Sequence, residues 1–197
     1  MKFYTELTIV NSTDISFSVA WSKLYTQLHL AFVEQKDANE QISYGVSFPE
    51  YKSIEAKGKK IMLLGTKIRV FANSTDELQM LDLDKWLERL TDYVHIKSVK
   101  PVENVTQYLT VNRYRPQASA GNLARRYASR HNVSVEDALK RLEGFKQKLE
   151  PYPYIQMKSL SGEREFSLCI NQQVVEQQNL GKFSTYGLSA TSTVPHW

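Results

Sequence analysis

The sequence is poor in the residues that build disulfides and metal centres. Its 197 residues include one cysteine, Cys169, and four histidines. One cysteine cannot form an internal disulfide, and the histidines have no cysteine or carboxylate at ligand spacing. We therefore expect a fold held by neither disulfides nor a structural metal, and we predict no metal site.

Long apolar runs are scarce as well. No segment approaches the roughly 20 apolar residues that a membrane-spanning helix requires. Glu6 and Asn11 interrupt the start of the chain, where a secretory signal would carry its apolar stretch. These absences predict a cytoplasmic protein with no membrane partner. The length fits one domain or two small ones, and a hydrophobic fraction of 42% is enough for a core.

Several catalytic motifs are absent too. The sequence has no HExxH or GxSxG motif, no glycine-rich phosphate loop and no paired carboxylates. Their absence argues against metal-dependent nucleases, nucleotide hydrolases and esterases. Metal-free chemistry and binding remain, and no cofactor is predicted.

Positive charge is concentrated in one short segment. The net charge of +4 is modest, but residues 113–131 carry no acidic residue. The arginines of this segment are Arg113, Arg115, Arg125, Arg126 and Arg130. A guanidinium suits phosphates and guanine better than an ammonium does. A solvated surface explains the arginines about equally well, but the interleaved tyrosines favour nucleic-acid binding.

Hydrophobic periodicity predicts alternating strands and helices in the first hundred residues. The predicted strands cover 2–10, 42–48, 66–72 and 93–99, and the helices cover 16–35 and a segment that starts at Ser74 and breaks near Asp82. The stretch 50–65 is predicted to be a long loop. The order strand, helix, strand, strand, helix, strand is that of the ferredoxin-like fold, which the RRM shares.

The second half has a different pattern. We predict a strand at 105–115, helices at 121–131 and 134–148, a hairpin of 154–160 with 165–170, and a last strand at 183–188. We predict an α+β protein with a ferredoxin-like domain at 1–100, and a second α+β domain at 101–197 with the arginine-rich helix and a small antiparallel sheet.

His29 is the first candidate for chemistry. It borders the buried stripe of the first predicted helix, and an imidazole exchanges protons near neutral pH. A packed or surface histidine is the simpler interpretation, and His95, His131 and His196 are equally plausible from composition. Turn preference alone would explain serines in the predicted hairpin.

Eight segments together resemble a known family, the CRISPR-repeat endoribonuclease of type I-F systems. They are KLYTQLHLAFVEQ, YGVSFPE, LGTKIRVFA, KWLERLTDY, VNRYR, KSLSGEREFSL, YGLS and VPHW, and they span nearly the whole chain. The order of YGVSFPE and YGLS, combined with the histidine of the first helix, is specific to that family.

The resemblance implies an enzyme that binds the stem-loop of the CRISPR repeat and cuts precursor CRISPR RNA at the 3′ base of the stem. The upstream 2′-hydroxyl attacks the phosphate and leaves a 2′,3′-cyclic phosphate and a 5′-hydroxyl, without a metal. The protein would stay on the mature CRISPR RNA as a subunit of the type I-F complex, beside a backbone subunit.

The resemblance also implies roles for single residues. His29 matches the catalytic histidine, as either general base or general acid. Ser159 matches the serine that orients the nucleophile, with Ser161 as the alternative. Tyr186 matches the tyrosine that holds the histidine.

The expected RNA contacts follow from the same resemblance. Arg125, Arg126, Arg130 and His131 match the helix along the RNA stem, Phe166 an aromatic that stacks on the terminal base, and Arg113 an arginine that reads a base. Arg115 stands where the family uses a glutamine to read adenine, so we predict guanine there, with Gln117 as the next candidate.

Two other interpretations stay open. One is a catalytically silent hairpin-binding subunit of the same complex, in which His29 is structural. The other is a ferredoxin-like interaction protein whose basic surface binds protein partners.

Overall fold

A computed structural model describes residues 1–56, 58–147, 150–159, 162 and 164–197. In it the chain mixes helices with antiparallel sheets. No helix within these ranges is both long and apolar enough to cross a membrane.

The first half alternates strands with short helices. In chain order the elements are β1 (Phe3–Ile9), α1 (Phe17–Glu34), β2 (Gln41–Ile42), β3 (Gly45–Ser47), β4 (Lys52–Ala56), β5 (Lys59–Leu63), β6 (Lys67–Ala72), α2 (Thr75–Met80), α3 (Leu83–Trp86), a 3-10 turn (Glu88–Leu90), β7 (Val94–Ile96) and β8 (Lys100–Pro101).

In the second half, two helices lie between longer strands along the chain. Its elements are β9 (Gln107–Tyr114), α4 (Ala120–His131), α5 (Val135–Lys140), β10 (Tyr154–Lys158), β11 (Glu165–Val175), β12 (Phe183–Ser184) and β13 (Ser189–His196).

The first sheet has the strand order β3-β6-β1-β7, with β8 paired to β1, and all pairs are antiparallel. Along β1, alternate residues point to opposite faces, and Leu7 lies opposite Ile68 of β6 on the buried face. This face and the apolar stripe of α1, with Leu24 and Leu28, belong to one core. The sheet therefore fixes the helix that carries His29.

The second sheet has the order β10-β11-β9-β13. Its inner residues, such as Val111, Ile170 and Val194, join the same core as the first sheet. Both sheets therefore stabilise one hydrophobic interior.

Contacts divide the chain into two compact units. One contains Met1–Tyr114 and Tyr152–Trp197, and the other contains Arg115–Pro151. In the smaller unit α4 and α5 pack through Ala124, Ala128 and Ala138. Neither break coincides with residue 100, and the division into domains at 1–100 and 101–197 stays a prediction.

Three local predictions need correction. The stretch 50–65 is not a loop, because β4 and β5 form an exposed antiparallel hairpin within it. The helix predicted at 134–148 ends at Lys140 and gives way to a turn, where Gly144 has a φ of +83°. Of the last strand predicted at 183–188, only Phe183–Ser184 is a strand, β12; the rest is a turn in which Gly187 has a φ of +71°, and β13 begins after it at Ser189.

A buried ion pair ties the outer face of the first sheet together. Glu6 is 6% exposed and accepts hydrogen bonds from Arg69 Nε at 3.0 Å and Lys97 Nζ at 2.7 Å. Burial would raise the pKa of the Glu6 carboxyl, but the bonds from Lys97 and Arg69 outweigh burial and hold the pKa below its usual value.

Replacing Glu6 with glutamine should therefore destabilise the fold. For Glu6→Gln we expect the free energy of unfolding at pH 7 to fall by about 1.5–3 kcal/mol, the range for hydrogen bonds to charged groups. Because the folded pKa is lowered, the carboxylate contributes fully above the ordinary carboxyl pKa of 4.5 and loses its contribution as pH falls through the folded value. Chemical denaturation at pH 7 and in acid measures both effects.

The matched control is Glu40→Gln, which removes an exposed partner of Lys36. We expect no measurable change from it. Equal stabilities of the Glu6 variant and the wild type at pH 7 would contradict the role given to this pair.

Candidate active site

His29 lies near the C-terminal end of α1 and is half-buried. Its Nδ1 lies 2.7 Å from the backbone carbonyl oxygen of Thr185, in the turn between β12 and β13. A carbonyl has no hydrogen to give, so Nδ1 must carry the proton and donate it. In the neutral ring Nε2 is then a free acceptor, as a general base requires.

The pKa of His29 is lowered from its ordinary value. Burial is the larger cause and disfavours the charged ring, whereas the hydrogen bond to Thr185 raises the pKa and offsets part of this effect. At neutral pH the imidazole is therefore uncharged and able to accept a proton.

Tyr186 forms a parallel stack with the imidazole. The two ring centroids are 4.0 Å apart and the planes differ by 1°. The tyrosine therefore covers one face of the imidazole. The structure therefore brings together two residues predicted to be catalytic, which are 157 positions apart in the chain.

The turn that carries Thr185 and Tyr186 is held tightly. The Gly187 N–H donates to the Ser184 carbonyl at 2.8 Å, and the Val46 N–H of β3 donates to the Gly187 carbonyl at 3.1 Å. A Cβ on Gly187 would lie 2.7 Å from Val46 Cγ1, so glycine allows this close approach.

Sequence reasoning missed two residues of this arrangement, Thr185 and Tyr25. The Tyr25 hydroxyl donates to the Tyr186 carbonyl at 2.9 Å. The signal for Tyr25 in the sequence is its position four residues before His29, on the same edge of the helix. Nothing in the sequence marks Thr185, because only its backbone carbonyl is used.

Arg113 and Phe166 lie on the neighbouring strands β9 and β11. The guanidinium carbon of Arg113 is 5.0 Å from the centroid of the Phe166 ring. Burial raises the pKa of the Tyr186 hydroxyl, and the positive charge of Arg113 partly offsets this rise. An exposed cation therefore faces the tyrosine that stacks on His29.

Ser159 directly follows β10, which packs along α1. The Thr26 hydroxyl lies 4.0 Å from Met157 Sδ, and Thr26 precedes His29 by one helical turn. Ser159 is therefore at the end of the strand that packs along the helix carrying His29. Ser161 lies outside the described residues, so the choice between the two serines stays open.

The remaining predicted RNA contacts belong to the smaller compact unit. Arg125, Arg126 and Arg130 are exposed on α4, while the alanines of the opposite face pack on α5. His131 is exposed and stacks on Tyr127, with centroids 4.1 Å apart.

Arg115 and Gln117 precede α4 and are exposed. The Gln117 carbonyl accepts a hydrogen bond from Gln147 Nε2 at 2.6 Å. Two other histidines lie on strands, His95 on β7 and His196 on β13. Among the described residues, no three His, Cys, Asp or Glu side chains lie together in a way that could hold a metal.

The tautomer of His29 can be measured directly. We expect ¹⁵N NMR of histidine-labelled protein to show a protonated Nδ1 and an unprotonated Nε2 at pH 7.5, and a titration midpoint below the ordinary value of about 6.5. His29→Gln identifies the resonances by their loss. A protonated Nε2 would contradict the bond assigned to Thr185.

Known proteins similar to this chain include CRISPR-associated nucleases. The family model described as "CRISPR-associated protein (Cas_Csy4)" matches residues 4–197. The "CRISPR-associated endonuclease Cas6/Csy4" of Escherichia coli (strain UTI89 / UPEC) is 29% identical over 196 residues, and the protein of that name from Pseudomonas aeruginosa (strain UCBPP-PA14) is 30% identical over 198 residues. Each match covers 99% of both chains.

A solved structure named "CRISPR associated protein Cas6" aligns with 100% of this chain and 99% of its own, at 10% identity and a TM-score of 0.39. The family match and the two curated relatives confirm the resemblance read from the sequence motifs, and with it the predicted class of enzyme, an endoribonuclease. The chain belongs to the Cas_Csy4 family of CRISPR-associated proteins.

Proposed function

We propose that this protein binds the stem-loop of a CRISPR repeat and cleaves precursor CRISPR RNA at the 3′ base of the stem, without a metal ion. The observation that carries the proposal is the hydrogen bond from His29 Nδ1 to the Thr185 carbonyl, which leaves Nε2 as the acceptor, and burial that lowers the pKa of the ring supports it. Family membership supplies the class of substrate.

His29 acts as the general base in this proposal. Nε2 takes the proton of the 2′-hydroxyl, the 2′-oxygen attacks the adjacent phosphorus, and the bond from phosphorus to the 5′-oxygen breaks. The leaving 5′-oxygen takes a proton from water and the His29 imidazolium returns its proton to solvent, so the products are a 2′,3′-cyclic phosphate and a 5′-hydroxyl. The lowered pKa of His29 favours the base over the acid role, because the ring is uncharged at neutral pH.

The neighbouring residues position the reacting groups. Tyr186 keeps the imidazole plane fixed through the stack, and Ser159 orients the 2′-hydroxyl from the end of β10. Alignment of that hydroxyl with the phosphate supplies much of the remaining rate enhancement. The Phe166 ring stacks on the terminal base of the stem, and Arg113 reads a base near its foot.

The exposed arginines of α4 hold the RNA stem. A-form RNA has a major groove too narrow for side chains to read bases, so Arg125, Arg126 and Arg130 act on phosphates near a stem end. His131 lies beside them at the end of the helix. The absence of acidic residues from 113–131 supports an anionic partner.

The first sheet supports a ferredoxin-like arrangement for residues 1–100. Across the sheet its four main strands lie in the order β7, β1, β6, β3, which is 4-1-3-2 when the strands are numbered along the chain. Helix α1 connects the first strand to the second, and α2 connects the third to the fourth. We propose residues 101–197 as the RNA-binding domain, which includes the arginine-rich helix and the β10–β11 hairpin.

The product is expected to stay bound. We propose that the protein remains on the 3′ hairpin of the mature CRISPR RNA as a subunit of the type I-F complex, beside a backbone subunit. The alternative is a catalytically silent hairpin-binding subunit, in which His29 only packs. Loss of cleavage with retained binding distinguishes the two functions.

Removing the imidazole tests the chemistry. We expect His29→Ala to slow cleavage of the repeat RNA by about 10²–10⁴-fold, the range for general acid–base catalysis, and to leave the affinity for the hairpin unchanged. EDTA should not alter the wild-type rate, and the products should carry 2′,3′-cyclic phosphate ends. Undiminished cleavage by the alanine variant would favour a structural histidine.

Exchanging one base tests the role of Arg115. A guanidinium bonds O6 and N7 of guanine, so we predict guanine opposite Arg115, and its exchange for adenine should weaken binding by about 1–3 kcal/mol. The matched variant Arg115→Gln should recover part of this loss, because glutamine pairs with adenine. Unchanged affinity in both tests would transfer the role to Gln117.

A further inference from the structure

We propose that Tyr25 is a positioning residue for cleavage, because its hydroxyl fixes the backbone of Tyr186. The turn can then accept the His29 hydrogen bond at Thr185 and stack the Tyr186 ring on the imidazole. This inference rests on the proposed function. It assigns a role to a side chain that does not touch the substrate.

Two side chains of α1 donate hydrogen bonds to consecutive backbone carbonyls of one turn. His29 Nδ1 donates to the Thr185 oxygen at 2.7 Å, and the Tyr25 hydroxyl donates to the Tyr186 oxygen at 2.9 Å. Because Tyr25 and His29 are one helical turn apart, their spacing along α1 matches the spacing of the two acceptors. The turn is therefore held to α1 by two hydrogen bonds.

The Tyr25 hydroxyl is a rigid point of attachment. The side chain is 0% exposed, and its ring packs nearly parallel to Phe48 at a centroid distance of 6.4 Å. Burial raises the pKa of this hydroxyl, so it stays a donor at every pH at which RNA can be assayed. A buried donor that loses its acceptor is costly, which keeps the bond closed.

Outside α1, the turn is also held by the bond from the Val46 N–H to the Gly187 carbonyl and by the pairing of β12 with β2 just before it. With the Tyr25 hydroxyl removed, α1 keeps, among the described residues, only the hydrogen bond from His29 to the Thr185 carbonyl as its hydrogen bond to this turn. A shift of the turn then changes the two features on which the base depends, the tautomer of His29 and its stack on Tyr186. A misplacement of about 1 Å can cost about 100-fold in rate.

The test compares two tyrosines that lose the same kind of bond. Tyr25→Phe removes the bond to the Tyr186 carbonyl. Tyr44→Phe is the matched control, because Tyr44 is 4% exposed and its hydroxyl donates to the Glu77 carbonyl at 2.8 Å, on α2. The two variants should lose similar stability, and only the first should affect chemistry.

Single-turnover cleavage of the repeat hairpin by saturating protein separates chemistry from binding. We expect Tyr25→Phe to react at least about tenfold more slowly than wild type, with an unchanged dissociation constant for the hairpin. Tyr44→Phe should cleave at the wild-type rate. Equal rates for the two variants would overturn the inference and leave the proposed function intact, whereas a wild type that does not cleave would overturn both.

The pH profile gives a readout that lost stability would not move. Among the described residues, the titratable groups near the imidazole are the hydroxyls of Tyr186 and Tyr25, and the charged group near Tyr186 is Arg113. Neither tyrosine ionises in the acidic range. The bond to Thr185 raises the His29 pKa, so its weakening in Tyr25→Phe should move the acid limb of the rate profile to lower pH. Tyr44→Phe should leave the limb in place, and an unmoved limb in both variants would count against the inference.

A conservative variant completes the test. Para-aminophenylalanine at position 25 keeps a donor at the end of the ring and should restore most of the rate. It decides the case in which Tyr25→Phe fails to fold while Tyr44→Phe folds. If the amino variant then folds but cleaves no faster than His29→Ala, the hydroxyl serves global stability and the inference is wrong. Recovery of both fold and rate by the amino variant would support it.

Discussion

The hydrogen bond from His29 Nδ1 to the Thr185 carbonyl determines what this site can do. A neutral imidazole carries one proton, and without a fixed acceptor the proton would exchange between the two nitrogens. The carbonyl fixes it on Nδ1 and leaves Nε2 free. Burial and the bond act on the pKa in opposite directions, and burial dominates, so the ring stays uncharged at neutral pH.

This dependence explains which parts of the site could be read from the sequence. The periodicity of α1 predicted the helix, and His29 was recognisable at the edge of its buried stripe. The pattern could not choose it over His95, because the feature that distinguishes it is a backbone carbonyl 156 residues away in the chain. Backbone acceptors leave no trace in side-chain patterns, so only the family resemblance singled out His29 and Tyr186.

The errors in the fold prediction have a related cause. The sequence predicts a loop at 50–65 because the stretch is rich in lysine and small residues, and the β4–β5 strands there form a separate two-stranded sheet with Ile54 and Ile61 exposed. The last predicted strand, 183–188, runs past the end of β12 at Ser184 into the turn that contains Gly187, and β13 starts only after that turn. In both places tertiary contact, rather than local preference, sets the boundary.

The two sets of polar residues work under different physical conditions. The arginines of α4 are exposed, and in the proposed function their attraction to phosphates would be screened by salt, so they would set an affinity that depends on ionic strength. His29 is half-buried and uncharged, and its contacts are a backbone hydrogen bond and a ring stack, which salt hardly affects. Arg113 is the exception, because its charge acts on Tyr186 while its guanidinium lies over Phe166. In the proposed function Arg113 therefore links the RNA to the stacked rings, since a phosphate or base that engages the guanidinium would change the field at the tyrosine.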